Sequence, residues 1–413
     1  MMAKKTMMVF VAALLSLGAS AAVQLVSPQA GSTVPLLSER QKAFMKMSRE
    51  ERAVFFDDAQ KDKEKEVTTL TSEPQPVRLE WTGEKGPYVV TVTKRGEKKP
   101  FFTKSVRKSQ VDVWNLEIAA DYEWRVEEGT ESATGSFRTE DQAPRLLHWQ
   151  GTRNVRDLGG RVMPDGRRVR QGLVFRSAGL NDNAKTIFYT VEEIEQLEKE
   201  GKLAGMGPVG KEYSAKLKAG RKLEKAYVRL IKQMPTAPGK KRFSPETVRY
   251  ILDTFGIRTD IDLRSERERF GMTESPLGPT VAFVHDWENY HGYSSVHKAG
   301  KEATIKIFRM FMDRKNYPID FHCIGGADRT GTVATLLHGV LGASDEDIWK
   351  DYQITAWTGG VNDARHLGWF KEFVKSFNRY PGKTLSQRIV AYFHEIGFTD
   401  ADLNQIRDIL LEP

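Results

Sequence analysis

The spacing of apolar positions changes character several times along the chain, and the changes divide it. Residues 7–17 form an apolar run, with Ser16 near its end, behind Lys4 and Lys5, followed by Ala19, Ser20 and Ala21. A positive start, a short apolar core and small residues predict an export signal over 1–21. The run is shorter than the ~20 residues of a bilayer-spanning helix. Residues 22–75 read as a linker with a short helix: 38–60 is helix-compatible, 61–66 is all charged, and 67–76 is rich in Thr, Ser and Pro. From 76 to 141 the period becomes two. Val77-Arg-Leu-Glu-Trp81, Tyr88–Val92, Val111–Trp114 and Tyr122–Val126 alternate between turn-rich breaks, which predicts a small antiparallel β-sandwich.

The remainder, 142–413, mixes the two periods. Short apolar stretches at 172–175, 259–263, 281–284 and 319–323 predict strands. Helical spacing recurs at 190–200, 211–232, 244–255, 303–312, 330–341, 344–354, 367–377 and 384–396. Short strands between long amphipathic helices predict an α/β fold with a central sheet flanked by helices, and a charged helical insertion near 181–245.

Composition narrows this further. The chain is 39% hydrophobic and 29% charged, as expected of a folded soluble protein rather than a polytopic membrane protein. No segment after the signal is apolar enough to span a membrane, so the expected location is periplasmic or extracellular. The net charge of +8 favours anionic partners without selecting nucleic acid, for which no module is visible. The basic stretch 216–225 keeps an anionic lipid among the partners to consider. A single Cys excludes an internal disulfide and any multi-cysteine metal site. His285, Asp286, Glu288 and His291 lack a diagnostic metal spacing.

That Cys stands in Tyr317-Pro-Ile-Asp-Phe-His-Cys-Ile-Gly-Gly-Ala-Asp-Arg-Thr-Gly331. A strand runs into Cys323, a tight loop follows, and a helix starts near Thr330. In such a loop Ile324, Gly325, Gly326, Ala327 and Asp328 can turn successive backbone N–H groups inward as an anion nest. The helix N-terminus adds donors and a dipole. The same groups would favour a Cys323 thiolate, and Arg329 offers planar bidentate donors to a phosphoryl group. Thiolate attack on phosphorus would give a cysteinyl-phosphate that water then hydrolyses, with no metal or other cofactor required.

His322-Cys323-x5-Arg329-Thr330 resembles the signature of cysteine-dependent protein tyrosine phosphatases. The full loop looks most like the bacterial branch with phosphoinositide-active members. Further matches lie upstream at Asn154-Val-Arg-Asp-Leu-Gly-Gly160, Gly172-Leu-Val-Phe-Arg-Ser-Ala-Gly179 and Thr259-Asp-Ile-Asp-Leu-Arg-Ser-Glu-Arg-Glu268. The resemblance covers roughly 148–400. It implies Cys323 as nucleophile, Arg329 as phosphate clamp, His322 tuning the thiolate, Thr330 bonding the sulfur and Asp328 as general acid. Ala327 stands where many relatives carry a Lys associated with highly charged inositol or lipid headgroups. The β region before it loosely resembles a fibronectin type III domain.

The residues alone leave the general acid open. Asp286, after a strand, is a second candidate and Asp182 a third. Asn154, Arg156 and Asp157 read as a network bracing the pocket, as do Arg176 and Arg264 at strand ends. The expected substrate is a phosphorylated protein or small phosphomonoester, phosphotyrosine foremost. A phosphoinositide or inositol phosphate, or a catalytically weak phosphate-binding role, are the alternatives.

Overall fold

The computed structural model describes residues 23–56, 71–180, 184–205, 207–222, 227–233, 243–269, 272–287, 290–358 and 364–413. The export-signal stretch 1–21, the charged run 61–66, Asp182 and Glu288 lie outside the described residues. The chain divides into two compact units.

The smaller unit takes the chain up to Ser32, Arg78–Asp112 and Asp121–Phe137. Its strands are antiparallel: Tyr88–Lys94 pairs on one side with Phe102–Val106 and on the other with Asp121–Glu128, and Gln24–Ser27 pairs with Val77–Thr82. Val90, Val92, Tyr122, Trp124 and Val126 are buried, while Val89, Glu123 and Arg125 between them are exposed. That is the period-two pattern of a sheet with one covered face.

The larger unit takes Thr33–Val77, Val113–Ala120 and Arg138–Pro413. Its sheet contains β1 (Arg145–Leu146), β2 (Arg156–Asp157), β3 (Val174–Ser177), β4 (Thr259–Asp262), β5 (Ala282–Val284) and β6 (Ile319–His322), in the order β5-β4-β6-β3-β2-β1. β6 runs parallel to both β4 and β3. All four residues of β3, β4 and β6 are buried, as strands covered on both faces require. Helices α1 (Pro245–Phe255), α2 (Lys298–Met312), α3 (Asp328–Leu341), α4 (Asp345–Gln353), α5 (Ala364–Ser376), α6 (Leu385–Glu395) and α7 (Asp400–Leu410) follow from the same unit. The α/β architecture expected from the sequence is therefore present. α3 is buried from Thr330 to Leu341 and packs against α4, α6 and α7, so the helix that leaves the Cys323 loop is a rigid central element.

Two elements differ from the sequence reading, and a third is sharpened. The helix expected over 211–232 is instead a helix at Gly207–Lys218 and a strand at Tyr227–Gln233, which pairs antiparallel with Ala184–Thr190. Tyr227, Val228 and Ile231 are strand-favouring residues, and a partner forty residues away supplies the ladder. α7 was not anticipated, although Thr399 and Asp402 form a capping box at its start. The helix-compatible stretch within 38–60 forms two short helices over its described part, Glu39–Lys46 and Arg49–Ala53, with capping boxes at Ser38/Gln41 and Ser48/Glu51. These helices belong to the larger unit: Phe44 packs edge-on against Trp357, Phe56 stacks on Tyr352, and fully buried Arg52 donates to Gln353 at 2.8 Å. Among the described residues no helix is long and apolar enough to cross a membrane.

Candidate active site

The central strand β6 delivers Cys323 to a loop that ends at the first turn of α3. Three successive carbonyls of that loop are held from outside. Ile324 O accepts from Gly179 N at 3.1 Å. Gly325 O accepts from Asn154 Nδ2 at 3.1 Å, and Gly326 O from Asn154 Nδ2 at 2.9 Å and Arg176 Nη2 at 2.7 Å. In a trans peptide the next N–H points opposite to the carbonyl. The N–H groups of Gly325, Gly326 and Ala327 are thus turned into the loop, where they can bind an anion. Gly326 has φ +66, and a Cβ there would lie 2.6 Å from Ser177 O, so the curl needs glycine.

The braces are themselves anchored. Arg156 donates to Asp351 Oδ1 at 2.9 Å and to Asp351 O at 2.7 Å, while Arg176 donates to Asp351 Oδ2. Arg156 also donates to the side-chain oxygen of Asn154, which fixes the direction of its amide. Burial opposes ionisation of Asp351, but the two guanidinium groups hold its carboxyl well below the usual range. Burial likewise lowers Arg156, to about 10. Asn154 adopts φ +57, a left-handed conformation that Asn tolerates better than most residues. Its backbone N–H donates to Ser72 Oγ at 3.2 Å.

Asp157 does not join this group. It accepts from Arg145 at 2.9 Å and from the N–H groups of Gly159 and Gly172, closing the turn after β2. Arg264 is engaged by Asp262 at 2.6–3.0 Å.

Cys323 is buried, and burial raises its pKa most strongly. The Arg329 charge and the hydroxyl and N–H of Thr330 outweigh that, so the thiol lies below its ordinary value. Among the described residues the Thr330 hydroxyl has no other hydrogen-bond partner. Beneath the loop, His322 Nε2 lies 2.9 Å from Asp260 Oδ1, and its pKa is raised to about 9: burial opposes protonation, but Asp262 and Asp260 overcome it. Asp260, Asp320 and His322 are the described residues whose ligand-type atoms lie close enough for an ion, within 4.8 Å. The second oxygens of the two carboxylates are already engaged by Ser275 and Ser177.

Arg329 is held in place by Glu268, whose two oxygens receive Nη1 at 2.5 Å and Nη2 at 3.0 Å. Its Nη1 also reaches Leu263 O at 3.2 Å. Glu268 itself accepts from the N–H and hydroxyl of Ser265. Burial pushes its pKa up, yet Arg329 and Ser265 bring it down to about 2. Sequence reasoning did not assign Glu268 a role, although it closes the motif 259–268. It also missed Asp351 and Tyr293, for which no local signal exists.

Asp328 and Asp286 separate clearly. Asp328 opens α3 beside the loop, and its Oδ1 accepts from Tyr293 Oη at 2.6 Å. The Asp286 side chain is 86% exposed and pairs with Lys306 at 2.8 Å. No hydrogen bond or ion pair among the described residues connects it to the loop.

The tyrosine phosphatase family matches residues 147–195 and 240–412, more than half of the chain. The chain belongs to the tyrosine phosphatase family. No curated protein matches it. The family region begins after Ser72 and Phe56, so two of the contacts that reach this phosphatase's loop and helices come from outside it. It passes over 196–239, which includes the helix Gly207–Lys218 and the strand Tyr227–Gln233.

Proposed function

We propose that this phosphatase hydrolyses phosphomonoesters, phosphotyrosine foremost, through a cysteinyl-phosphate on Cys323. The observation that carries the reading is the outward anchoring of the Ile324, Gly325 and Gly326 carbonyls, which turns consecutive amides toward one point. A phosphoryl group at that point meets the amides, the α3 N-terminus and Arg329, in a pocket that already favours the thiolate.

The Cys323 thiolate attacks phosphorus. The P–S bond forms as the bond to the ester oxygen breaks, and Asp328 gives its proton to the departing oxygen. Water then attacks the cysteinyl-phosphate and passes a proton to the Asp328 carboxylate. The P–S bond breaks, inorganic phosphate leaves and the thiolate is restored. Asp328 is assigned as the acid because it lies at the loop's edge, while Asp286 is engaged at the surface. Ala327 brings no positive charge to the loop, which supports a monophosphorylated aryl ester over a polyphosphorylated headgroup.

Export as a soluble periplasmic or extracellular enzyme is part of this reading, supported by the pattern of residues 1–21. So is a fibronectin type III-like smaller unit, supported by its antiparallel strands and alternating core.

The test is hydrolysis of an aryl phosphate without added metal. Cys323→Ser is expected to abolish turnover and keep affinity for inorganic phosphate. Undiminished turnover in that variant, or an absolute metal requirement, rules the mechanism out.

A further inference from the structure

Asp328 is held from one side with unusual completeness. Tyr293 Oη donates to its Oδ1 at 2.6 Å. With its own proton given to Asp328, that hydroxyl accepts from Tyr352 Oη at 2.7 Å, and the 3.2 Å approach of Tyr352 Oη to His366 O is the alternative use of the Tyr352 proton. Tyr293 takes φ +69, a conformation that disfavours a bulky side chain, and its N–H donates to Thr332 Oγ1 of α3 at 3.0 Å. Its neighbour Gly292 packs so closely that a Cβ would lie 2.6 Å from Asp328 Cβ. The Tyr352 ring stacks on Phe370 at 3.6 Å and 2°, and the Tyr293 ring packs between Phe370 and Phe373. Burial keeps the Tyr293 phenol protonated well above its ordinary pKa, so it remains a donor.

These contacts treat the two carboxyl oxygens differently. Oδ1 is committed to Tyr293. Among the described residues Oδ2 makes no direct hydrogen bond; the imidazole of His366 stands 3.8 Å from it, beyond that length. We propose that Tyr293 is the positioning residue for proton transfer: by holding Oδ1 it makes Oδ2 the oxygen that gives the proton to the leaving group and takes it back from water. This rests on Asp328 being the general acid. The positive φ at Tyr293 falls on a residue whose N–H grips α3 while its phenol meets this carboxylate, as strain held at a functional contact does.

General acid catalysis matters most when the leaving oxygen is basic. The test therefore compares kcat/KM of the full chain on phenyl phosphate and on a nitrophenyl phosphate, whose leaving oxygen needs little protonation. Tyr293→Phe keeps the ring and removes the donor. It is expected to lower kcat/KM about 10-fold or more on phenyl phosphate and under about 3-fold on the nitrophenyl ester, a fraction of the ~10²–10⁴ that acid catalysis supplies. Gly292→Ala would press on Asp328 Cβ and also on the backbone of Asp328 and Arg329, so it is expected to lower both activities, that on phenyl phosphate more. The nitrophenyl activity doubles as the check that each variant is folded. Losses equal on both substrates in both variants, or no loss in either, overturn the positioning role. Asp328→Asn, assayed alongside, separates the two readings. If that variant shows no selectivity for the basic leaving group, the assignment of Asp328 fails; if it does and Tyr293→Phe does not, only the role of Tyr293 fails.

Discussion

Glu268 grips Arg329 through both terminal nitrogens, at 2.5 and 3.0 Å. The guanidinium is thereby fixed in orientation before any phosphoryl group arrives. Pre-organisation of this kind reduces the ordering cost of binding. The contact also links two sequence motifs that lie on neighbouring strands, β4 through its following loop and β6 through α3.

Glu268→Gln leaves Arg329 charged but removes half of its bidentate anchor. A fall of ~10²-fold in kcat/KM is expected, comparable with losing one oxyanion donor, with weaker inhibition by inorganic phosphate. Unchanged phosphate inhibition would show that Glu268 does not orient Arg329. The Glu268 pKa is depressed to about 2, so its contribution to stability is present above its ordinary pKa and lost as pH falls through about 2. An activity loss between pH 4 and 6 should therefore survive in Glu268→Gln.

Asp351→Asn removes the carboxylate shared by Arg156 and Arg176 and leaves two buried guanidinium groups without it. The expected cost is ~3–5 kcal/mol, typical of breaking a buried ion pair from one side. Because Arg176 also holds Gly326 O, activity should fall even under conditions where the variant is folded. Denaturant unfolding together with kcat/KM at a permissive temperature checks both. A variant with wild-type stability would mean that Asp351 is not the anchor.

Phe56→Ala tests whether the N-terminal helices are part of the phosphatase unit. Phe56 is fully buried and stacks on Tyr352, outside the region matched by the family. A destabilisation of ~3–5 kcal/mol is expected for deleting a buried Phe side chain. A midpoint within error of the parent in urea would argue that this segment is only loosely associated.

Stability should fall on the alkaline side. His322 is raised to about 9 by the Asp262 and Asp260 carboxylates despite its burial. A raised His contributes stability that is fully present below its unfolded pKa of ~6.5 and is lost as pH rises through about 9. Buried Asp320, raised to about 8, acts in the same direction. Tm measured from pH 6.5 to 9.5 should decline across that window; a flat profile would contradict a charged His322.

The sequence by itself determined the chemistry of the loop. Cys323, the small residues, Arg329 and the start of α3 are contiguous, so the chain by itself brings a sulfur, a run of amides and a guanidinium into one loop. The alternation of 77–126 and the helical periods after 244 likewise follow from which face each element must bury. Tertiary structure decided the rest. Nothing near Arg329 in the chain announces Glu268, which reaches it from the loop after a neighbouring strand. Asp351 meets Arg156 and Arg176 across more than 170 residues. The sequence offers Asp328 as the first candidate acid and Asp286 as the second; packing puts Asp286 beside Lys306 in solvent and Asp328 under Tyr293. The strand at Tyr227–Gln233 exists because a distant segment completes its ladder. Local pattern records what a residue's neighbours in the chain allow, whereas a partner brought in by strand order or helix packing leaves no mark on that pattern.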